Sequence, residues 1–223
     1  MSKKRLVITA IVLALVLAIG GILAYFTDVQ TKSNKFKMGD VKILVEEPSW
    51  PGNPDNPGDP EKEVPIVPNQ EVPKDPQITN KGEGEIYAFA EVTIPRESVK
   101  VGDSTTAAMT ELFLLLHNDA TTNTSVSGIN SGWVEIESAR TTNADGSITH
   151  VYAYGTATKL TKLVKNAKTP AVFDSVKFVD VKEENYSNAG VQGKTYEVKV
   201  SGYGIQVDGL NSENPATVWP LVK

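Results

Sequence analysis

The placement of proline most constrains what this chain can fold into. Nine of its 13 prolines fall within residues 48–76, interleaved with Asn, Gly, Asp and Glu. Because proline fixes φ and has no N–H, this stretch can form neither a helix nor a central strand. We interpret it as an extended, partly stiff linker, with a long surface loop or a proline-rich peptide ligand as alternatives. The folded domain is therefore expected mainly in residues 77–223.

The residues after the linker favour β structure. Within 86–94, Ile and Val alternate with Tyr87, Phe89 and polar residues, as in a strand that is covered on one face and partly covered on the other. The turn residues 143–146 separate two further strand candidates, which predicts a hairpin. Shorter strands are predicted at 41–45, 173–181 and 196–207, the last with a kink or bulge at Gly202 and Gly204.

One helix is predicted among these strands. Residues 104–117 place leucines at helical spacing after a capping residue, Asp103 or Ser104. A loop is expected at 118–131 and a short helical turn at 211–223. Together these elements predict an all-β protein with one inserted helix, folded as an antiparallel β-sandwich.

The N-terminus has the layout of a secretory signal peptide. Lys3, Lys4 and Arg5 precede an uncharged run at 6–26 that ends near a small residue, Ala24. We expect cleavage between Ala24 and Tyr25, with an uncleaved membrane anchor as the alternative. The expected organisation is a signal peptide at 1–24, a mature N-terminal segment at 25–47, the linker at 48–76 and a β-sandwich domain at 77–223.

Charge and cysteine content narrow the class of protein. The net charge is −5, and removal of the basic signal peptide makes the mature chain more acidic. An acidic chain lacks the basic footprint of a nucleic-acid-binding protein. The chain has no cysteine, so an exported domain must be stabilised by its core, by metal or by assembly.

No recognisable catalytic motif is present. The two histidines, His117 and His150, are not in a zinc-ligand spacing; we expect His117 at the end of the predicted helix and His150 in a strand. Asp145 and Asp180 lie outside any calcium-loop pattern. The sequence therefore predicts no catalytic residue, no metal site and no cofactor.

Other side chains have two interpretations each. The acidic pairs at 46–47 and 183–184 are expected on solvated faces rather than in acid–base chemistry. Three tryptophans are either sugar-stacking platforms or core residues, and we expect the latter for Trp50, Trp133 and Trp219.

Two motifs resemble a known family. Residues 20–28 (GGILAYFTD), followed by Thr31, Asn34, Phe36, Gly39 and the strand at 41–45, resemble the start of TasA/camelysin proteins. Residues 72–80 (VPKDPQITN) resemble that family's Lys-Asp-Pro segment, here Lys74, Asp75 and Pro76. Weaker matches of the same kind lie at 86–94, 152–176 and 204–207.

The resemblance implies an exported Gram-positive protein with a jelly-roll sandwich, processed by a SipW-type signal peptidase. It implies a role in extracellular fibres of the biofilm matrix, in which the mature N-terminal segment completes the sheet of the next subunit. Some members are described as metalloproteases.

From this we expect a secreted structural protein, not an enzyme, whose partner is itself or a related fibre subunit. Contact with the membrane is expected only through an uncleaved signal segment. The donor candidates are Phe26, Phe36, Ile43 and Val45, because an unpaired sheet edge accepts an extended segment. The alternatives are a surface binding module for carbohydrate or a host protein, and a camelysin-like metalloprotease.

Overall fold

A computed structural model describes residues 3–4, 40–51, 63–182 and 191–222. The chain divides into two units, Met1–Met38 and Gly39–Lys223, and the strands described here belong to the second. The strands are β1 (Ile43–Glu46), β2 (Glu71–Pro73), β3 (Gln77–Asn80), β4 (Ile86–Ile94), β5 (Arg96–Val99), β6 (Ala108–Glu111), β7 (Phe113–Asp119), β8 (Thr124–Ser127), β9 (Trp133–Glu135), β10 (Thr141–Thr142), β11 (Ile148–Tyr154), β12 (Lys162–Leu163), β13 (Ser175–Phe178) and β14 (Lys199–Gln206). A short helix, α1, spans Pro215–Val218, and 3-10 turns span Glu137–Ala139 and Trp219–Leu221.

All strand pairs among the described residues are antiparallel, and the architecture is the predicted all-β sandwich. In the large sheet, β4 is central: β11 and β12 pair with one edge and β14 with the other, while β9 and β10 pair with β11. The second sheet has the order β2-β13-β7-β8. Two further ladders join β1 to β3 and β5 to β6.

The alternation in β4 places hydrophobic groups on both faces of the large sheet. Ile86, Ala88 and Val92 are buried in the main core, which also contains β3, β7 and β13 side chains. Tyr87 and Phe89 are buried in a second core beneath the C-terminal segment. The sequence pattern predicted this two-sided burial correctly.

The hairpin and the C-terminal turn are also confirmed. β9 and β10 both pair with β11, and Gly146 closes the turn with φ of 85°. Asp145 accepts hydrogen bonds from the backbone N–H and hydroxyl of Ser147, so it is a turn residue. Asn214 caps α1 by accepting from Ala216 N and Thr217 N.

The predicted helix at 104–117 is wrong. These residues form β6 and β7, and β7 pairs with β13 on one edge and β8 on the other. Leu112, Phe113 and Leu115 are buried, whereas Leu114 is 43% exposed. Pairing on both edges satisfies the backbone of this segment and overrides its local helical pattern. α1 follows the last strand and is the predicted C-terminal helical turn, so it is not the inserted helix.

Three related expectations also change. His117 lies within β7 opposite Val126, not at a helix end. The predicted loop at 118–131 contains β8, which is exposed at all four positions. β14 continues through Gly202 and Gly204 in unbroken register with β4, so the predicted bulge does not form.

Trp219 joins the C-terminal segment to the large sheet. Its ring lies 5.4 Å from Phe89 and 5.4 Å from Tyr203, centroid to centroid. We expect Trp219→Ala to lower the free energy of unfolding by about 3–5 kcal/mol, because the cavity cannot refill. Urea denaturation measures this, with exposed Leu221→Ala as the control. Equal effects of both variants would contradict the second core.

Candidate functional site

Strand β1 lies in a slot on the inner face of the large sheet. Ile43 and Val45 point inward and pack against the main core, while Leu44 between them is 42% exposed. One edge of β1 pairs with β3, from Ile43 opposite Asn80 to Glu46 opposite Gln77. Two of the four donor candidates therefore occupy a slot in their own subunit.

Two glycines of β14 form the floor of this slot. A Cβ added at Gly202 would lie 2.5 Å from Val45 Cγ2, and one at Gly204 would lie 2.9 Å from Ile43 Cγ2. Real side chains do not approach this closely, so any larger residue would displace β1. The sequence predicted a kink or bulge at these glycines, whereas the structure shows that they allow close packing of β1.

The start of β1 is also held by a close backbone approach. Lys81 N donates a hydrogen bond of 2.7 Å to Lys42 O. A Cβ at Gly82 would lie 2.2 Å from the carbonyl oxygen of Asp40. A glycine at position 82 thus allows the chain before β1 to cross the turn that follows β3.

A buried ion pair fixes the residue that follows β1. Lys74 Nζ lies 2.8 Å and 2.7 Å from the two carboxylate oxygens of Glu47, and both residues are more than nine-tenths buried. The ammonium also lies 5.2 Å from the centroid of the Trp50 ring, a cation–π contact. The expectation of a solvated Glu46–Glu47 pair is therefore wrong for Glu47.

The neighbouring motif residue forms a second link to the same segment. Asp75 accepts hydrogen bonds from Ser49 N at 2.7 Å and Ser49 Oγ at 2.9 Å. Pro76, whose carbonyl accepts from Val172 N, continues directly into β3. We call Lys74, Asp75, Glu47, Ser49 and Trp50 the clamp, because they hold the chain on the C-terminal side of β1.

β1 and β14 each have one strand edge without a partner strand among the described residues. Among the described residues, no strand pairs with the second edge of β1 or with the edge of β14 that faces away from β4. The contacts of Ile43 and Val45 with the glycine floor show that β1 packs over the face of β14. We call this pair of edges the seam. Unpaired edges of this kind can accept an additional strand.

The other predicted site residues are not brought together here. Ala24, Tyr25, Phe26 and Phe36 lie outside the described residues. Trp133 and Trp219 are buried core residues as expected, and Trp50 packs against the core within the clamp.

The two histidines lie in different sheets, His117 in β7 and His150 in β11. Each ring nitrogen of His150 faces a different carboxylate, on opposite sides of the imidazole. Within residues 40–51, 63–182 and 191–222, no group of three or more His, Asp or Glu side chains is arranged to hold a metal ion.

Sequence reasoning found the Lys-Asp-Pro motif but missed its partners. Glu47 and Ser49 lie 27 and 26 residues away from Lys74 and Asp75, across the proline-rich stretch. A buried Lys needs an opposite charge, so Lys74 itself was the available signal, but sequence alone does not show that it is buried.

We expect Glu47→Gln to lower the free energy of unfolding by about 3–5 kcal/mol, because it leaves the Lys74 ammonium buried without a counter-charge. Denaturant unfolding measures this. The matched control is Glu85→Gln, which removes the exposed pair with Lys162 (3.1 Å) and should cost about 1 kcal/mol or less. Equal losses in both variants would contradict the clamp.

We expect Gly202→Ala to destabilise the protein by about 1–3 kcal/mol, because the new methyl overlaps Val45. Combining it with Val45→Ala should recover part of that loss in a double-mutant cycle. Gly84→Ala is the control, since a Cβ there meets nothing within 4 Å. Strict additivity of the two changes would mean that Val45 does not lie over Gly202.

Comparison with known proteins bears on the same region. Residues 2–86 match the family model described as camelysin metallo-endopeptidase. No curated protein matches the chain. The matched residues include both N-terminal motifs, β1 and the whole clamp, and they end at the first residue of β4. This match confirms the predicted resemblance to the TasA/camelysin family over residues 2–86.

Proposed function

We propose that this protein is a secreted, non-catalytic subunit or accessory of a cell-surface or matrix fibre, assembled by β-augmentation at the seam. The observation that carries the proposal is that β1 and β14, which pack on each other, each have one edge that no strand of the described residues pairs with. An extended segment from a second copy, or from a related subunit, adds main-chain hydrogen bonds to such an edge. The match to a family of extracellular and cell-surface proteins supports the same setting.

The clamp assigns different roles to the donor candidates. Ile43 and Val45 fill the slot of their own subunit and are followed at once by the buried Lys74–Glu47 pair. β1 thus stays bound in its own subunit and anchors the N-terminal segment that precedes it. We infer that the segment donated to the next subunit is residues 25–39, with Phe26 and Phe36 as its anchoring side chains.

The length of this segment suits the seam. Fifteen residues in extended form span about 50 Å, and the eight residues of β14 require roughly half of that. Removal of the signal peptide between Ala24 and Tyr25 by a SipW-type peptidase frees the donor. Among the described residues, no helix is long and apolar enough to span a membrane.

The family description favours one alternative, a metallo-endopeptidase. The described residues do not fit a catalytic metal, because His117 and His150 lie in different sheets and no three-ligand cluster forms. A binding module that stacks sugars on tryptophan is less well supported, since Trp133 and Trp219 are buried. We therefore favour the structural role over both.

Truncation tests the role of residues 25–39 separately from that of β1. We expect residues 25–223 to form fibres, whereas residues 39–223, which keep β1 and the clamp, should remain folded monomers. Size-exclusion chromatography with light scattering and electron microscopy measure assembly, and circular dichroism measures folding. A synthetic peptide of residues 25–39 should bind the truncated protein and block assembly of the longer one.

Two controls make this test decisive. A scrambled peptide of the same composition should neither bind nor block. The double substitution Phe26→Ser/Phe36→Ser in residues 25–223 should reduce assembly without changing the unfolding midpoint of the monomer. Fibres formed by residues 39–223 would show that the donor lies elsewhere.

A further inference from the structure

A buried histidine links three strands, β11, β9 and β6, through its side-chain contacts. His150 of β11 is 7% exposed. Its Nδ1 lies 2.8 Å from Glu135 Oε1 of β9, and its Nε2 lies 3.3 Å from Glu111 Oε2 of β6. The imidazole is therefore placed between two carboxylates that come from different strands.

This geometry requires a particular protonation state. A neutral imidazole carries one N–H, so it can donate to one carboxylate and would present a lone pair to the other. Ionised carboxylates are acceptors only. Both contacts are favourable at once only when His150 is an imidazolium, which donates from both nitrogens.

The surroundings of the imidazole favour that state. Arg140 donates to Glu135 Oε1 from Nε at 3.0 Å and from Nη2 at 2.7 Å, which orients the Glu135 carboxylate toward the imidazole. Arg96 of β5 is the other cation near Glu111. The Tyr152 ring stacks at 6.1 Å from the imidazole with an interplanar angle of 7°.

The pKa directions agree with the geometry. Burial lowers the pKa of His150, but the hydrogen bonds and charges of Glu111 and Glu135 outweigh it, so the net pKa is raised above 6.5. The hydrogen bond from His150 lowers the pKa of Glu111 below 4.5. The two groups thus stabilise each other's charged form.

The contact of His150 with Glu111 is longer than its contact with Glu135. Glu111 belongs to β6, which is the more exposed of the two partner strands. β6 is exposed at Ala108 and Met109 and pairs only with β5 among the described strands. Within the described chain, Glu111 is the β6 residue whose side chain bonds to the large sheet. We propose that His150 is a pH-dependent tie, which holds β6 against the large sheet when its ring is doubly protonated and lets β6 open when the ring loses a proton.

The sign of the effect follows from linkage. The folded-state pKa of His150 is raised, so its stabilisation is fully present below about 6.5 and is lost as pH rises through the folded-state value. The pKa of Glu111 is lowered, so its contribution is present above about 4.5 and is lost as pH falls through its folded-state value. The tie is strongest between these limits and weakens in alkaline solution.

Two measurements on the unmodified chain test the proposal. The ring resonances of His150, followed by NMR against pH, should titrate above pH 6.5 with both nitrogens protonated below the midpoint. Amide exchange in β6, corrected for the intrinsic rate at each pH, should show protection falling roughly tenfold between pH 5.5 and 8.5, as expected for loss of one charge-assisted hydrogen bond.

Variants show whether His150 carries the effect. Glu111→Gln and His150→Gln should each make β6 protection independent of pH over this range. His117→Gln removes the other histidine, in the second sheet, and should leave the pH dependence as in the unmodified chain. Titration of His150 below pH 6.5, or pH-dependent β6 protection that persists in His150→Gln, would overturn the proposal.

Discussion

The structure depends on the burial of β4 on both of its faces and its pairing along both of its edges. One face contributes Ile86, Ala88 and Val92 to the main core, and the other packs Tyr87 and Phe89 under Trp219. β11 and β14 pair with its two edges. A strand with so many neighbours cannot move without disturbing both cores, so it is the rigid reference against which β1 and β6 are positioned.

Against this rigid sheet, β1 is held by close packing and by charge. Gly202 and Gly204 allow Val45 and Ile43 to approach the backbone of β14. Beyond β1, the Lys74–Glu47 pair is desolvated, and such a pair contributes little net stability, although breaking it is costly. We infer that it specifies where the N-terminal segment leaves the domain. Under the proposed function, this exit point would set where the donated segment begins.

Two polar clusters, around Lys74 and around His150, show how burial changes the chemistry of ordinary side chains. Glu47 and His150 each look unremarkable beside their sequence neighbours. In the fold, Glu47 neutralises a buried ammonium and His150 bridges two carboxylates. In both clusters each of these charged groups is matched by a protein partner.

The sequence by itself determined the β-rich class, the alternation of β4, the hairpin around Gly146, the C-terminal turn and the Lys-Asp-Pro motif. These features depend on local periodicity, on turn chemistry or on contiguous residues, which a single chain displays directly. Only the tertiary structure decided that 104–117 forms strands, since pairing with β13 and β8 comes from distant residues. It also decided the partners of Lys74 and His150 and the packing role of Gly202, because burial and contacts across tens of residues leave no periodic trace in the sequence.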